Sequence, residues 1–182
     1  MIARTLVLFG ALLVANAARA AGPVVGWGAG LPPSSVDGTA GSAASISTGA
    51  SRTCAVQAAT GKVVCWGRPA AGFPDPPPDV DGTSGVATAV SVGRLHACAI
   101  QAGQRLFCWG YYNGGASIAQ VMYATAVAVG DYQTCAIELA GTVFCWGGVV
   151  LAPPAVDGTD GTASAIGAGQ FHACAIQAGS GK

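Results

Sequence analysis

The chain has 182 residues, of which 8 are Lys or Arg and 8 are Asp or Glu, so only 9% of the residues carry charge. So few cations exclude a protein that binds nucleic acid by neutralising phosphates, and an apolar content of 52% excludes a disordered tail. The 28 Gly residues follow no three-residue period, which excludes collagen and favours short strands with many turns.

Residues 1–20 have the composition of an export signal. Arg4 provides the positive start, Leu6 to Val14 form an uncharged apolar run, and Ala18 and Ala20 are small residues at a peptidase site. The run is too short to span a bilayer. We therefore expect cleavage before Ala21 and export to the periplasm or medium of a bacterium, with an uncleaved anchor as the alternative. The mature chain, residues 21–182, is expected to form one domain.

A unit of three short strings then recurs, complete near residues 42–67, 86–110 and 123–147 and without its third string near 162–182, with residues 23–28 as an additional part. The first string is a β-branched strand that ends in Gly, the second contains Cys-Ala-Ile or Cys-Ala-Val, and the third is Cys-Trp-Gly. A period near 40 residues, with about four strands and one Trp in each unit, is typical of a propeller blade. The predicted fold is an all-β propeller of about four blades, and a solenoid of stacked sheets is the alternative.

The run Gly-x-x-His-x-Cys-Ala-Ile, followed by a hairpin and Cys-Trp-Gly, resembles the regulator-of-chromosome-condensation repeat over residues 23–182. The resemblance implies a propeller, and the eukaryotic member of that family drives nucleotide exchange on a small GTPase. It does not assign a function to this chain, since blades of this type serve unrelated tasks.

The two ends of the chain carry complementary parts of one unit. Val24-Val25-Gly26-Trp27-Gly28 is a third string without a preceding second string, and residues 172–182 contain a second string without a following third string. An unfinished sheet leaves backbone groups unpaired. We therefore expect residues 24–28 to pair with residues in 172–182 and close the ring. The alternatives are that the chain is a piece of a larger ring or that two chains complete an eight-bladed one.

Six of the seven Cys residues form pairs within the repeats: Cys54 with Cys65, Cys98 with Cys108, and Cys135 with Cys145. Each pair spans a predicted hairpin at facing positions, which lie within disulfide range. Three disulfides are expected, and reduced packed thiols or a metal site are the alternatives. Cys174 remains as an odd thiol, expected to face Gly26 or to join two chains.

The chain offers little for catalysis. His96 and His172 occupy the same repeat position as Arg52 and Gln133, which favours a structural role, and no nucleophile elbow or phosphate loop is present. Asp157-Gly158-Thr159 resembles part of a calcium loop but is interpreted as a turn. No enzyme activity, cofactor or metal is predicted.

The candidate binding residues lie in the two-residue loops between the first and second strings. In a propeller these loops cluster on one face. They place Leu95, Tyr132 and Phe171 in an apolar patch with Arg94, Asp131 and Gln170 at its rim. Tyr111 and Tyr112, in the variable segment after Trp109-Gly110, are further candidates. Aromatic anchors with a polar rim suit a protein partner, although these aromatics could instead only cap the blades.

The chain also resembles in outline a bacterial secreted propeller that inhibits β-lactamase, which implies contact roles for Leu95, Tyr132 and Phe171. The function expected first is an exported protein-binding module. An inhibitor of an extracellular enzyme and a fragment of a larger repeat protein are the alternatives; neither nucleic acid nor membrane is expected as a partner, and a homo-oligomer is possible.

Overall fold

A computed structural model describes residues 21–28, 30–68, 73–111, 122–148 and 151–179. The predicted signal, residues 1–20, lies outside the described residues, as does Tyr112. All regular elements of the described residues are β-strands. No helix among them has the length and apolar character needed to cross a membrane.

The strands form four successive antiparallel sheets, which we call blades 1 to 4. The first strand of each blade corresponds to the first predicted string: β1 Ala43–Thr48, β4 Ala87–Val92, β7 Ala124–Val129 and β10 Ala163–Ala168. The second strands are β2 Arg52–Gln57, β5 His96–Gln101, β8 Thr134–Glu138 and β11 Ala173–Gln177. The third strands are β3 Val63–Gly67, β6 Leu106–Gly110 and β9 Val143–Trp146.

The all-β propeller fold predicted from the repeats is confirmed, but the expected four strands per unit are not. Blades 1 to 3 have three strands each, and blade 4 has two in the described part of the chain. A Val-Asp-Gly-Thr connector that starts at Val36, Val80 or Val156 precedes the first strand of blades 1, 2 and 4, and it forms a turn. Its buried Val accepts a hydrogen bond from the start of the preceding third strand, as Val80 O does from Val63 N at 2.9 Å.

The connector turns follow the interpretation made for Asp157. The Asp157 carboxylate accepts a hydrogen bond from Thr159 N at 2.8 Å, and Asp37 and Asp81 accept the same bond from Thr39 and Thr83. These hydrogen bonds from the Thr residues lower the pKa of each Asp below its usual value. The turn interpretation is therefore confirmed in all three connectors.

The blades contact one another through their first strands. β4 packs against β1 and β2, β7 against β4 and β5, and β10 against β7 and β8. Ser47 Oγ accepts a hydrogen bond from Val92 N at 3.0 Å, and Ser91 Oγ accepts one from Val129 N at the same distance. Each Ser thus satisfies a backbone donor in the next blade, where no sheet partner is available.

Glycine marks the closest approach between blades. A Cβ added to Gly49, Gly93 or Gly130 would lie 2.1 Å from the carbonyl oxygen of the corresponding Gly in the next blade. A side chain at these positions would force neighbouring blades apart. At Gly169 of blade 4 the nearest atoms belong instead to the ring of His172, the closest at 2.5 Å.

The expected ring closure within one chain is wrong for the described residues. Gly22 pairs with Ala43, and Val24 N donates to Val36 O at 2.8 Å, so the N-terminal segment lies against blade 1. β11 pairs only with β10 over residues 173–177; residues 180–182 lie outside the described part. Blade 2 contacts blade 1, blade 3 contacts blade 2 and blade 4 contacts blade 3, whereas no comparable contact among the described residues joins β10 or β11 to blade 1, so blades 1 and 4 are the two ends of an open arc.

The three expected Cys pairs are joined as disulfides. Cys54 faces Cys65, Cys98 faces Cys108, and Cys135 faces Cys145 in the strand register, with Cα–Cα distances of 4.0–4.1 Å. Each bond connects the second and third strands of one blade. Cys174 is free and exposed, and the segment around Gly26 does not face it.

Candidate functional site

The candidate residues lie in tight loops that join the first and second strands of each blade. In blade 2, Gly93 N donates to His96 O at 2.9 Å, so Arg94 and Leu95 form a two-residue loop. The same bond joins Gly130 to Gln133 and Gly169 to His172 at 2.8 Å. The repeat therefore presents equivalent loops at equivalent ends of the strands, as expected from the sequence.

Three of the predicted residues form a continuous row across blades 2, 3 and 4. Arg94 Nη1 donates to Tyr132 Oη at 3.0 Å, and the rings of Tyr132 and Phe171 stack with their centroids 5.6 Å apart and an angle of 14° between planes. We call Arg94, Tyr132 and Phe171 the aromatic row. Phe171 is 69% exposed, so the row ends in an open ring face.

The other candidates occupy less central positions. Tyr111 is 56% exposed, and its N–H donates to Leu95 O at 2.8 Å, which places it beside the blade 2 loop. Leu95 and Asp131 are half-buried, and Gln170 is exposed. The structure thus brings Arg94 into contact with Tyr132, because the long Arg side chain reaches the loop of the next blade.

A layer of buried polar side chains lies at the starts of the second strands and supports these loops. Gln133 Nε2 donates to His172 O at 2.7 Å and to Gly169 O at 3.3 Å, the two ends of the Gln170–Phe171 loop. Gln133 is 2% exposed, so the polar side chain of one blade fixes the loop of the next. Sequence reasoning assigned this position to structure without locating its contacts.

Arg52 has the same repeat position in blade 1 but a different partner. Its guanidinium donates to the carbonyl oxygens of Phe73 and Pro74 at 3.0 and 3.1 Å, forms an ion pair with Asp75, and lies 5.2 Å from the centre of the Phe73 ring. Arg52 therefore anchors the segment that follows blade 1. Only the identity of the side chain, Arg in place of His or Gln, could have suggested this difference.

His96 is the member of this layer that can titrate. Its Nε2 lies 2.7 Å from Thr134 Oγ1, and both residues are buried. Burial lowers the pKa of His96 from 6.5 to about 4, against an opposing effect of the Asp131 carboxylate. His96 is therefore neutral at pH 7 and hydrogen-bonded between blades 2 and 3, which suits a structural role.

This pKa predicts that acid weakens the fold. Between pH 6.5 and 4 the unfolded chain binds a proton at His96 that the folded chain does not, so the free energy of unfolding falls as pH falls. The expected loss is roughly 2.5 kcal/mol between pH 7 and pH 4.5. Urea unfolding at the two pH values measures it. His96→Gln, which copies Gln133, is the control, because it keeps an uncharged polar group and all carboxylates. An equal loss of unfolding free energy in this variant would contradict the assignment of the pH effect to His96.

Solved structures with similar folds are propellers. The CRINKLY WD40 ectodomain of the Arabidopsis thaliana receptor kinase ACR4 matches with 25% identity and a TM-score of 0.59, over 74% of this chain and 48% of that one. Human WBSCR16 matches with 13% identity and a TM-score of 0.56, over 72% and 44%. Yeast RCC1 (Prp20), solved bound to Kap60, matches with 12% identity and a TM-score of 0.55, over 75% and 42%.

No protein-family model matches the sequence, and no curated protein matches it significantly. The structural matches confirm an RCC1-like propeller fold. The chain spans less than half the length of each of the three structures compared.

Proposed function

We propose that this chain is an exported protein-binding module that recognises its partner through the aromatic row and Tyr111. The observation that carries the proposal is the contact of Arg94, Tyr132 and Phe171 across three successive blades, with an exposed ring at the end of the row. Partly exposed aromatic rings beside an Arg are the side chains that most often dominate protein interfaces.

The geometry gives the row two properties of a good anchor. The Gln133 side chain and the backbone hydrogen bonds that close each two-residue loop hold the loops in place. Little conformational entropy is therefore lost when a partner binds. Arg94 and Asp131 add opposite charges at the margin, which favour one orientation of the partner. Yeast RCC1 (Prp20), which has a similar fold, was solved bound to the protein Kap60.

Export is part of the proposal and is supported by two features. Residues 1–20 have the order of charge, apolar run and small residues that signal peptidases recognise. The three disulfides suit an oxidising compartment. An inhibitor of an extracellular enzyme would be one form of such a binding module.

The test replaces the exposed rings and follows capture of partners. The immobilised protein is incubated with the secreted proteins of the producing culture, and bound proteins are quantified by mass spectrometry. In Tyr132→Ala/Phe171→Ala, at least one captured protein is expected to bind about thirty-fold more weakly, since hot-spot aromatics contribute about 2 kcal/mol or more.

Leu139→Ala is the matched control for this experiment. Leu139 is 54% exposed and follows β8 at the end opposite the Tyr132 loop. The substitution therefore removes an exposed apolar side chain from a different face. Capture should be unchanged in this variant. Equal capture by the double variant and the wild-type protein would refute the role of the aromatic row.

A further inference from the structure

The Trp residue of each third strand fills the junction between its own unit and the preceding one. Trp109 of blade 2 is 5% exposed and lies in the apolar cluster between blades 1 and 2, together with Val63 and Val90. Trp146 of blade 3 packs against the corresponding cluster between blades 2 and 3. Trp66 of blade 1 and Val24 of the N-terminal segment both pack against the cluster of Val36, Ala43 and Ala55.

The junction between blades 3 and 4 contains a cavity instead. It has a volume of about 340 Å³ and is lined by apolar groups of Val143, Cys145, Val156, Ile166, Ala173 and Ala175. The counterparts of these residues in blades 1 and 2 belong to the cluster that contains Trp109. The cavity therefore lies where the repeat places a Trp side chain, and an apolar space of this size can hold an indole ring.

One Trp side chain, that of Trp27, is not packed in any junction between units. Trp27 is 88% exposed, and Val25 beside it is 76% exposed. Its segment already has the backbone contacts of a third strand: Val24 N donates to Val36 O at 2.8 Å, as Val143 N does to Val156 O at 2.9 Å. Gly28 also has the positive φ, +88°, that Gly110 and Gly147 show after their Trp.

The N-terminal segment and β11 thus have complementary unsatisfied edges. The segment is a third strand without a second strand beside it, and β11 is a second strand whose far edge is unpaired in the described residues. Ile176 on β11 is 60% exposed, whereas its counterparts Ile100 and Ile137 are 3% and 2% exposed. The two edges lie at opposite ends of the same arc, so one copy cannot join them.

We propose that a second copy of this chain completes each edge. Residues 24–28 of one copy lie beside β11 of the other, and Trp27 enters the cavity between blades 3 and 4. The contact between the two copies has the same arrangement of strands as the three blade junctions within the chain. Because the contact is head-to-tail, two copies related by a two-fold axis form two identical junctions. The resulting ring has eight blades, within the range that propellers adopt.

Removing Trp27 should break the dimer without harming the fold. Light scattering after size-exclusion chromatography is expected to give the exported wild-type chain twice the mass of a single chain, and Trp27→Ala the mass of one. Trp27 is exposed in the single chain, so this variant should retain the wild-type circular dichroism spectrum and disulfides. Leu139→Ala, which removes an exposed apolar side chain that is not among the residues lining the cavity, should remain a dimer.

An engineered disulfide tests the register directly. In blades 1 to 3 a Cys of the third strand faces a Cys of the second, and in the proposed dimer Gly26 takes that place opposite Cys174 of the partner subunit. The variant Gly26→Cys is combined with Pro32→Ala, because a Cβ at Gly26 would lie 2.6 Å from Pro32 Cδ. Blade 3 has Ala152 at the position of Pro32.

The double variant is expected to form a covalent dimer on a non-reducing gel. Val25→Cys with Pro32→Ala is the control, since adjacent residues of a strand point to opposite faces of the sheet; it should not cross-link. Adding Cys174→Ser to the double variant should abolish the cross-link. A wild-type chain that is monomeric up to its solubility limit would overturn the proposal. In that case further repeats of a longer polypeptide would be expected to fill the cavity. A dimer that survives Trp27→Ala and does not cross-link through Gly26→Cys would also overturn it.

Discussion

Reduction of the three disulfides is expected to unfold the protein at neutral pH and 25 °C. Each bond closes a loop of 10 or 11 residues, for which the chain-entropy model gives about 2.7 kcal/mol. Three such bonds contribute about 8 kcal/mol, which is comparable with the whole free energy of unfolding of a domain of this size. Circular dichroism and thermal unfolding with and without a reducing agent measure the effect.

Variants separate the disulfides from the other effects of the reductant. Cys98→Ala/Cys108→Ala removes one bond and should lower the free energy of unfolding by about 2.7 kcal/mol before any change in packing. Cys174→Ala removes the exposed free thiol and should leave stability unchanged. If alkylation shows complete reduction and the unfolding temperature does not fall, the stabilising role of these bonds is wrong.

Gly93→Ala is expected to destabilise the junction between blades 2 and 3 strongly. The added Cβ would lie 2.1 Å from Gly130 O, which belongs to the backbone and cannot rotate away. Blades 2 and 3 must then separate, and overpacking of this kind costs about 3 kcal/mol. The same change should disturb the hydrogen bond from Val129 N to Ser91 Oγ, which spans the same junction. Urea unfolding monitored by fluorescence measures the difference in the free energy of unfolding between Gly93→Ala and the wild type.

The matched control is Gly103→Ala, in the hairpin loop of the same blade. A Cβ at Gly103 meets no atom within 4 Å, and its φ is not positive. Its free energy of unfolding should stay within about 0.5 kcal/mol of the wild type. A comparable fall in the free energy of unfolding in both variants would contradict this explanation. The effect of Gly93→Ala would then come from the loss of glycine itself and not from the close contact between blades 2 and 3.

Much of the fold was predictable because the first and second strings recur four times and the third string three times, with the same register in each blade. The alternation of residues and the spacing of Cys98 and Cys108 determine which strands face each other, so the sheets and the disulfides followed from the sequence. The number of strands per blade did not, because a period near 40 residues leaves room for a fourth strand that the described residues do not form. The Asp-Gly-Thr turns did follow, and the hydrogen bond from Thr83 N to the Asp81 carboxylate is the contact expected of such a turn.

The candidate site was predictable in its location but not in its contacts. The repeat determines that the loops containing Arg94, Tyr132 and Phe171 share a face. Which side chains meet depends on their reach across a blade junction, and the sequence does not give that distance. The ring closure failed for a related reason: the sequence of Val24 to Gly28 identifies the type of strand that it completes, but not whether that strand belongs to the same chain.

Every disulfide in the structure joins two strands of the same sheet, and among the described residues none passes from one sheet to the next. Covalent bonds therefore preserve each hairpin as a separate module, while only side-chain packing and a few hydrogen bonds set the angles between modules. Partial denaturation should consequently loosen the orientation of intact hairpins before any hairpin melts, so that amide protons at the cross-linked strand pairs exchange last.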